Sequence, residues 1–315
     1  MLNKIYEKTK DFIKNNYKTL LIMLFLIVIF NIKLDYDIYS PGGLLNIDDR
    51  IEVENSDETS GSYNLTYVSA KKGILPFVLL SYVIKDWDLV SLDEERIEDE
   101  SYEEIVERNK IYLEEGMNNS VIAAFDEAGE TYKINSSKVK VLYILSDAET
   151  SLKVGDEIVS VEGNKVNKSS ELIKIIQGKN VGDNLTIKVI RNEKEKEVTA
   201  EVKEIENEKI IGIMLVNIYD IDTFDKINIK YKNNEGGSSG GLMNALYIYD
   251  ALVKEDLRNG LKIAGTGTID ELGNVGEIGG IKYKLLGASK NNADIFITPN
   301  DNYEEALKVR QIITA

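Results

Sequence analysis

A glycine-rich turn carrying two serines is the segment of this sequence best suited to chemistry: Glu235-Gly236-Gly237-Ser238-Ser239-Gly240-Gly241-Leu242-Met243. An alternating strand pattern, Lys226-Ile227-Asn228-Ile229-Lys230-Tyr231, leads into it. Beyond it, Leu242, Ala245, Leu246, Tyr249, Leu252 and Val253 recur at helical spacing. The turn therefore delivers its serines to a helix N-terminus, where free backbone N–H groups stabilise a developing oxyanion and glycines admit a substrate carbonyl close to the chain. The expected donors are the N–H groups of Gly237, Ser238 and Ser239. A phosphate loop needs Lys-Ser or Lys-Thr after its last glycine, and Leu242-Met243 stands there instead, so no nucleotide is expected. The bland alternative is a flexible glycine-serine linker, but linkers are rarely framed by strand and helix.

A serine hydrolase built here must use an unusual base, because the sequence has no histidine. It has no cysteine either, which excludes disulfides, thiolate zinc sites and cysteine nucleophiles together. The 54 acidic residues outnumber 38 basic ones for a formal charge of −16, which repels phosphates and leaves a nucleic-acid partner unexpected. The acid run from Asp93 to Glu100 lacks the alternating ligands and central glycine of a calcium loop and reads as a solvated approach to a helix. No metal or cofactor is expected.

Further along come Ile263-Ala264-Gly265-Thr266-Gly267-Thr268-Ile269 and Gly273-Asn274-Val275-Gly276-Glu277-Ile278-Gly279-Gly280-Ile281-Lys282-Tyr283-Lys284-Leu285. Together with the serine turn, these segments resemble the proteolytic domain of Lon-type serine peptidases, in the membrane-anchored, PDZ-containing branch of Gram-positive bacteria. Ala293-Asp294-Ile295-Phe296-Ile297-Thr298-Pro299 fits that domain's closing strand. The resemblance implies Ser239 as nucleophile, Lys284 as general base and Thr266 as a hydroxyl that helps hold the lysine. Lys282 is the tempting wrong choice, since on the same helix it should point elsewhere. The family usually has proline and alanine where this sequence has Ser238 and Gly240. A lysine can act as base once burial without a carboxylate favours its neutral amine. The sequence contains no Gly-x-x-x-x-Gly-Lys-Ser/Thr, so hydrolysis is expected to need no ATP.

A second resemblance lies upstream. Leu152-Lys153-Val154-Gly155-Asp156 followed by Ile158-Val159-Ser160-Val161-Glu162-Gly163 resembles the bacterial PDZ domain over about residues 130–204. The implied peptide groove runs between Val141, Leu142, Tyr143, Ile144 and Leu145 on a strand and a helix Ser169–Gln177, which contributes Leu172 and Ile176. Strands are expected at Lys138–Leu145 and Glu157–Val161. A hairpin is expected from Asn184–Arg191 and Lys196–Glu204 around Asn192-Glu193-Lys194-Glu195.

At the N-terminus, Leu20 to Phe30 is uninterruptedly apolar, and five lysines against two acids in residues 1–18 give that tail a net charge of +3. This predicts a cytoplasmic tail at 1–18, a transmembrane anchor at 19–34 in contact with the lipid bilayer, and everything beyond outside. A break is expected at Ser40-Pro41-Gly42-Gly43, strands at Arg50–Glu54 and Tyr63–Ser69, an apolar helix over Leu75–Val90 and a long amphipathic helix over Ser101–Glu127.

The expected fold class is α+β: a Lon-type peptidase domain, residues 35–129 and 205–315, interrupted by the PDZ-like module and preceded by one transmembrane helix. The expected function is an ATP-independent serine endopeptidase cleaving peptides or proteins at the outer face of the membrane. The rival expectation is a catalytically inactive, membrane-tethered PDZ adaptor.

Overall fold

The structure, a computed structural model, describes residues 2–54, 56, 60–97, 99–230, 235–253 and 256–314. Tyr231, at the end of one expected strand, and Glu98, in the acid run, lie outside the described residues. The architecture mixes helices and sheets in two units, residues 1–41 with 68–95 and residues 42–67 with 96–315.

In the first unit, α1 (Leu2–Asn31) is one unbroken helix, with the length and composition of a membrane span or a signal sequence. Residues 19–31 of the expected anchor are helical, but the helix stops at Asn31 and β1 (Lys33–Asn46) has begun two residues later. The chain continues through β2 (Ile51–Val53), β3 (Ser62–Ile74), α2 (Leu75–Ser81), β4 (Asp88–Ser91) and α3 (Leu92–Glu95). Ser40-Pro41-Gly42-Gly43 is not a break but part of β1. Only Tyr36–Tyr39 of β1 pair with β4, so the N–H that Pro41 lacks is not needed there. The helix expected over Leu75–Val90 ends at Ser81, whose hydroxyl donates to the Val78 carbonyl at 2.8 Å. Asp86, at φ 65°, then turns the chain into β4.

The second unit is organised by α4 (Tyr102–Ala128), which starts at a capping box: the Glu104 N–H donates to Ser101 Oγ, and the Ser101 N–H donates to Glu104 Oε2. Gly129, at φ 68°, ends it in the left-handed conformation. Ser101→Ala is expected to cost about 1 kcal/mol, read as a lower denaturation midpoint. Just before this cap the solvated reading of the acid run fails for Glu100. That side chain is buried and accepts two hydrogen bonds from Arg108, each at 2.7 Å.

After α4 come β5 (Lys133–Ile144), β6 (Glu157–Val161), β7 (Asn164–Lys165), α5 (Ser169–Gln177), β8 (Asn184–Arg191), β9 (Lys194–Glu201), β10 (Lys203–Ile205), β11 (Glu208–Ile210) and β12 (Ile213–Asp222). Strict alternation in β8 sends Leu185, Ile187 and Val189 inward, where they meet Val139, Ile158 and Leu172 in one core. The β8–β9 turn is tighter than expected. Asn192 and Glu193 alone make it, both at positive φ, while Lys194 and Glu195 already belong to β9. The sheet order is β12-β5-β6-β8-β9. Leu142, Val216 and Ile218 pack this module onto Ile111 of α4.

The chain then forms β13 (Ile227–Ile229), α6 (Gly241–Val253), β14 (Lys262–Gly265), β15 (Thr268–Ile269), β16 (Val275–Gly276), α7 (Ile281–Lys290), β17 (Ile295–Ile297), a 3-10 turn at Asn300–Asn302 and α8 (Tyr303–Thr314). β14 lies parallel to both β3 and β17, and α7 supplies the crossover to β17. Met117, Val121 and Phe125 of α4 meet Met243, Tyr247 and Ile248 of α6 in the second core. This packing brings α4 and α6 together behind the serine turn.

Candidate active site

Ser239 sits in the turn just before α6, and four hydrogen bonds hold the turn and the start of that helix from two sides. The Ser239 carbonyl accepts from the Gly267 N–H at 2.8 Å and from Thr266 Oγ1 at 3.0 Å. The Gly267 carbonyl in return accepts from the Leu242 N–H at 3.0 Å. From α4, Ser120 Oγ lies 2.9 Å from the Gly241 carbonyl. Gly116 lets α4 come this close, since a Cβ there would stand 3.1 Å from Ser238 Cα. Asn109, Gly116 and Ser120, spaced to share one face of α4, were missed by sequence reasoning. The signal available was that stripe of small and polar residues on an otherwise amphipathic helix.

Lys284 lies on the first turn of α7, after Gly280 at φ 72°. Asn302 braces the approach to that helix: its Oδ1 accepts from the Ile278 N–H and its Nδ2 donates to the Ile278 carbonyl, both at 2.9 Å. No sequence signal pointed to Asn302. Lys284 is 4% exposed and donates from Nζ to Thr266 Oγ1 at 3.1 Å, while Thr266 is fully enclosed. Burial, with no carboxylate among the described residues to oppose it, pulls the Lys284 ammonium down to about 8 from its ordinary 10.5. Lys282 takes a different direction, with its Nζ 5.5 Å from the centre of the Tyr283 ring.

Thr266 thus links the lysine to the serine's backbone. It donates to the Ser239 carbonyl and accepts from Lys284. No hydrogen bond joins Ser239 Oγ itself to Lys284 Nζ among the described residues. The expected oxyanion set needs one correction: the Gly237 N–H donates to the Asn109 carbonyl at 2.7 Å and is spent. Among the described residues, the N–H groups of Ser238, Ser239 and Gly240 carry no backbone bond. An open cleft of about 560 Å³ begins nearby at Leu242, between α4, α6 and the β15–β16 hairpin, with Asp126, Glu127 and Glu271 among its lining.

Residues 128–202 match the family model of the PDZ domain. Residues 128–202 form a PDZ domain. Among solved structures, the PDZ domain of an SdrC-like protein from Listeria monocytogenes is 28% identical, covering 27% of this chain and 93% of that one with a TM-score of 0.25. The corresponding domain from Listeria innocua is 29% identical, covering 25% and 92% with a TM-score of 0.24. Among curated proteins, none matches this chain.

The sheet edge that the sequence reading expected at Val141–Leu145 is covered by β12. PDZ domains take an extended peptide as an added strand on an exposed sheet edge. β5 has no such edge at Val141–Leu145. It pairs with β12 from Lys133 to Ile144, the Val141 N–H and carbonyl bond to Asp156 and Gly155, and the Leu145 N–H donates to the Gly212 carbonyl. Val141, Leu142 and Tyr143 are buried, and Leu172 and Ile176 belong to the domain's core. The edge strand on the β5 side of the sheet is β12, which lies beyond the matched residues and next to α5. There Asn217 reaches across to the first residue of α5. Its Oδ1 accepts from the Ser169 N–H at 2.9 Å and its Nδ2 donates to Ser169 Oγ at 3.1 Å. At the other end, Gln177 Nε2 donates to the Lys209 carbonyl at 3.0 Å. Asn217 thus ties β12 to the start of α5, and Lys209 of β11 ties the end of that helix.

Proposed function

We propose that this chain is a membrane-tethered, ATP-independent serine endopeptidase of the Lon type, whose PDZ domain binds a peptide segment of the substrate. Lys284 carries the proposal: a buried amine with no carboxylate beside it, pulled down to about 8, bound to a threonine that also holds Ser239. Such an amine is neutral often enough near neutral pH to serve as a base. In this reading Ser239 Oγ attacks the peptide carbonyl carbon and its proton passes to Lys284 Nζ. The oxyanion is met by the unspent N–H groups of the turn. The lysine returns the proton to the leaving amine, and water then releases the acyl group from the serine.

The rival reading, an inactive PDZ adaptor, draws on the missing Ser239–Lys284 bond and on the commitment of Gly237. Catalytic hydrogen bonds often tighten only when substrate binds, so the missing bond does not count against the enzyme. The deciding experiment incubates the purified full chain with a mixture of unstructured peptides and follows products by mass spectrometry. Products made by wild type and not by Ser239→Ala support the peptidase. Bound but uncut peptide in both supports the adaptor.

Peptide entry into the β12–α5 groove must part the Asn217–Ser169 contacts, because an added strand lies between those two elements. Asn217→Ala removes that resistance and is expected to tighten peptide binding about fivefold, for a contact worth about 1 kcal/mol. Fluorescence anisotropy of a labelled peptide measures it, and unchanged or weaker binding counts against this groove.

A further inference from the structure

Residues 79–84 leave most of their large apolar side chains in the open. Leu79 is 60% exposed, Leu80 44%, Tyr82 77%, Val83 83% and Ile84 38%, and in α2 only Val78 is buried. Apolar side chains left in water forgo the free energy of burial, so a set of five within six residues marks a contact surface. Its place in the fold names the partner. The Leu75 N–H, at the start of α2, donates to the Ile32 carbonyl at 3.0 Å, one residue past the end of α1, and α2 packs on α1. The apolar excursion thus leaves β3 at the level where the apolar helix α1 ends. Its far end carries Trp87, set edge-on to Phe77 at 6.4 Å, with Lys71 Nζ 4.9 Å from the indole ring. Aromatic rings beside lysines are the composition of a membrane–water interface.

We propose that residues 75–87 lie in the bilayer interface beside α1 as a second membrane contact, with Leu79, Leu80, Val83 and Ile84 among the lipid acyl chains and Trp87 at the headgroup level. The proposal rests on α1 being a retained membrane anchor. Two contacts hold this unit at a set depth and tilt, which one helix followed directly by a strand does not do.

Trp87 is the only tryptophan in the chain, so its fluorescence reports on this site alone. The full-length protein is placed in phosphatidylcholine–phosphatidylglycerol nanodiscs whose lipids carry bromine near the glycerol end or near the methyl end of the acyl chains. The expected result is loss of about half the emission or more with the shallow bromines, a smaller loss with the deep ones, and poor access to acrylamide. Leu79→Asp with Val83→Asp is expected to abolish the bromine effect while the protein still co-elutes with nanodiscs through α1. Co-elution without any bromine quenching in wild type overturns the inference. If Trp87 is then open to acrylamide the surface faces water, and if it is shielded the surface faces protein. Failure of wild type to enter nanodiscs removes the anchor and this inference with it.

Discussion

Ser239→Ala and Lys284→Ala are each expected to reduce the proposed peptide hydrolysis by about 10³-fold or more, and Ser238→Ala to leave it within about twofold. The contrast follows from position, since both serines share the turn but only Ser239 has its carbonyl fixed by Thr266 and Gly267. A lysine base also leaves its mark on the pH profile. For an amine that titrates at about 8, the neutral fraction and the rate rise about ninefold from pH 6 to 7, about fivefold from 7 to 8 and less than twofold from 8 to 9. Thr266→Val removes the acceptor that faces Lys284 Nζ while keeping the shape of the side chain. Its expected signature is a loss of about 10–100-fold with the midpoint moved to lower pH, because an enclosed ammonium without an acceptor deprotonates more readily. A profile flat from pH 6 to 9 in wild type leaves Lys284 without the role of base.

What the sequence disclosed and what it hid divide by range along the chain. The pattern of apolar residues in Ser169–Gln177 marked a helix with the bounds that the fold gives it, and alternation marked β8 equally well, because both are properties of neighbours. The apolar run at Leu75–Val90 misled for the same reason in reverse: a short helix, a turn and a strand share one composition, and periodicity cannot separate them. Long-range pairing had no local signal. β12 meets β5 across roughly 70 residues, and that pairing moves the open sheet edge away from Val141–Leu145. Gly237 likewise gives its N–H to Asn109 on a distant helix, which no reading of the glycine turn alone could reveal. Within the site, Lys284 was singled out by the motif it shares with the resembled family, with side-chain direction on the helix setting Lys282 aside, and the two amines do point apart.

Lys284→Met should make the protein more stable at pH 7, by about 2 kcal/mol, while destroying its proposed base. The enclosed amine titrates at about 8 when folded, against 10.5 as its ordinary value. A depressed lysine means that the unfolded chain binds more protons between those two values, so wild-type stability rises with pH across that window. Below pH 8 the folded protein bears the full cost, about 3 kcal/mol at about 1.4 kcal/mol per pH unit. Methionine fills similar space without that cost and forgoes only the bond to Thr266, worth about 1 kcal/mol. The advantage of the variant should therefore shrink as pH climbs from 8 and be gone by about 10.5, where wild type also folds with a neutral amine. Denaturation of both proteins at pH 7 and pH 10 measures the difference. A variant less stable than wild type at pH 7, or an offset unaffected by pH, means the amine keeps its proton in the fold and cannot take one from Ser239. Were the wild-type residue destabilising at this core position, packing would not account for the lysine, and the proposed proton transfer would.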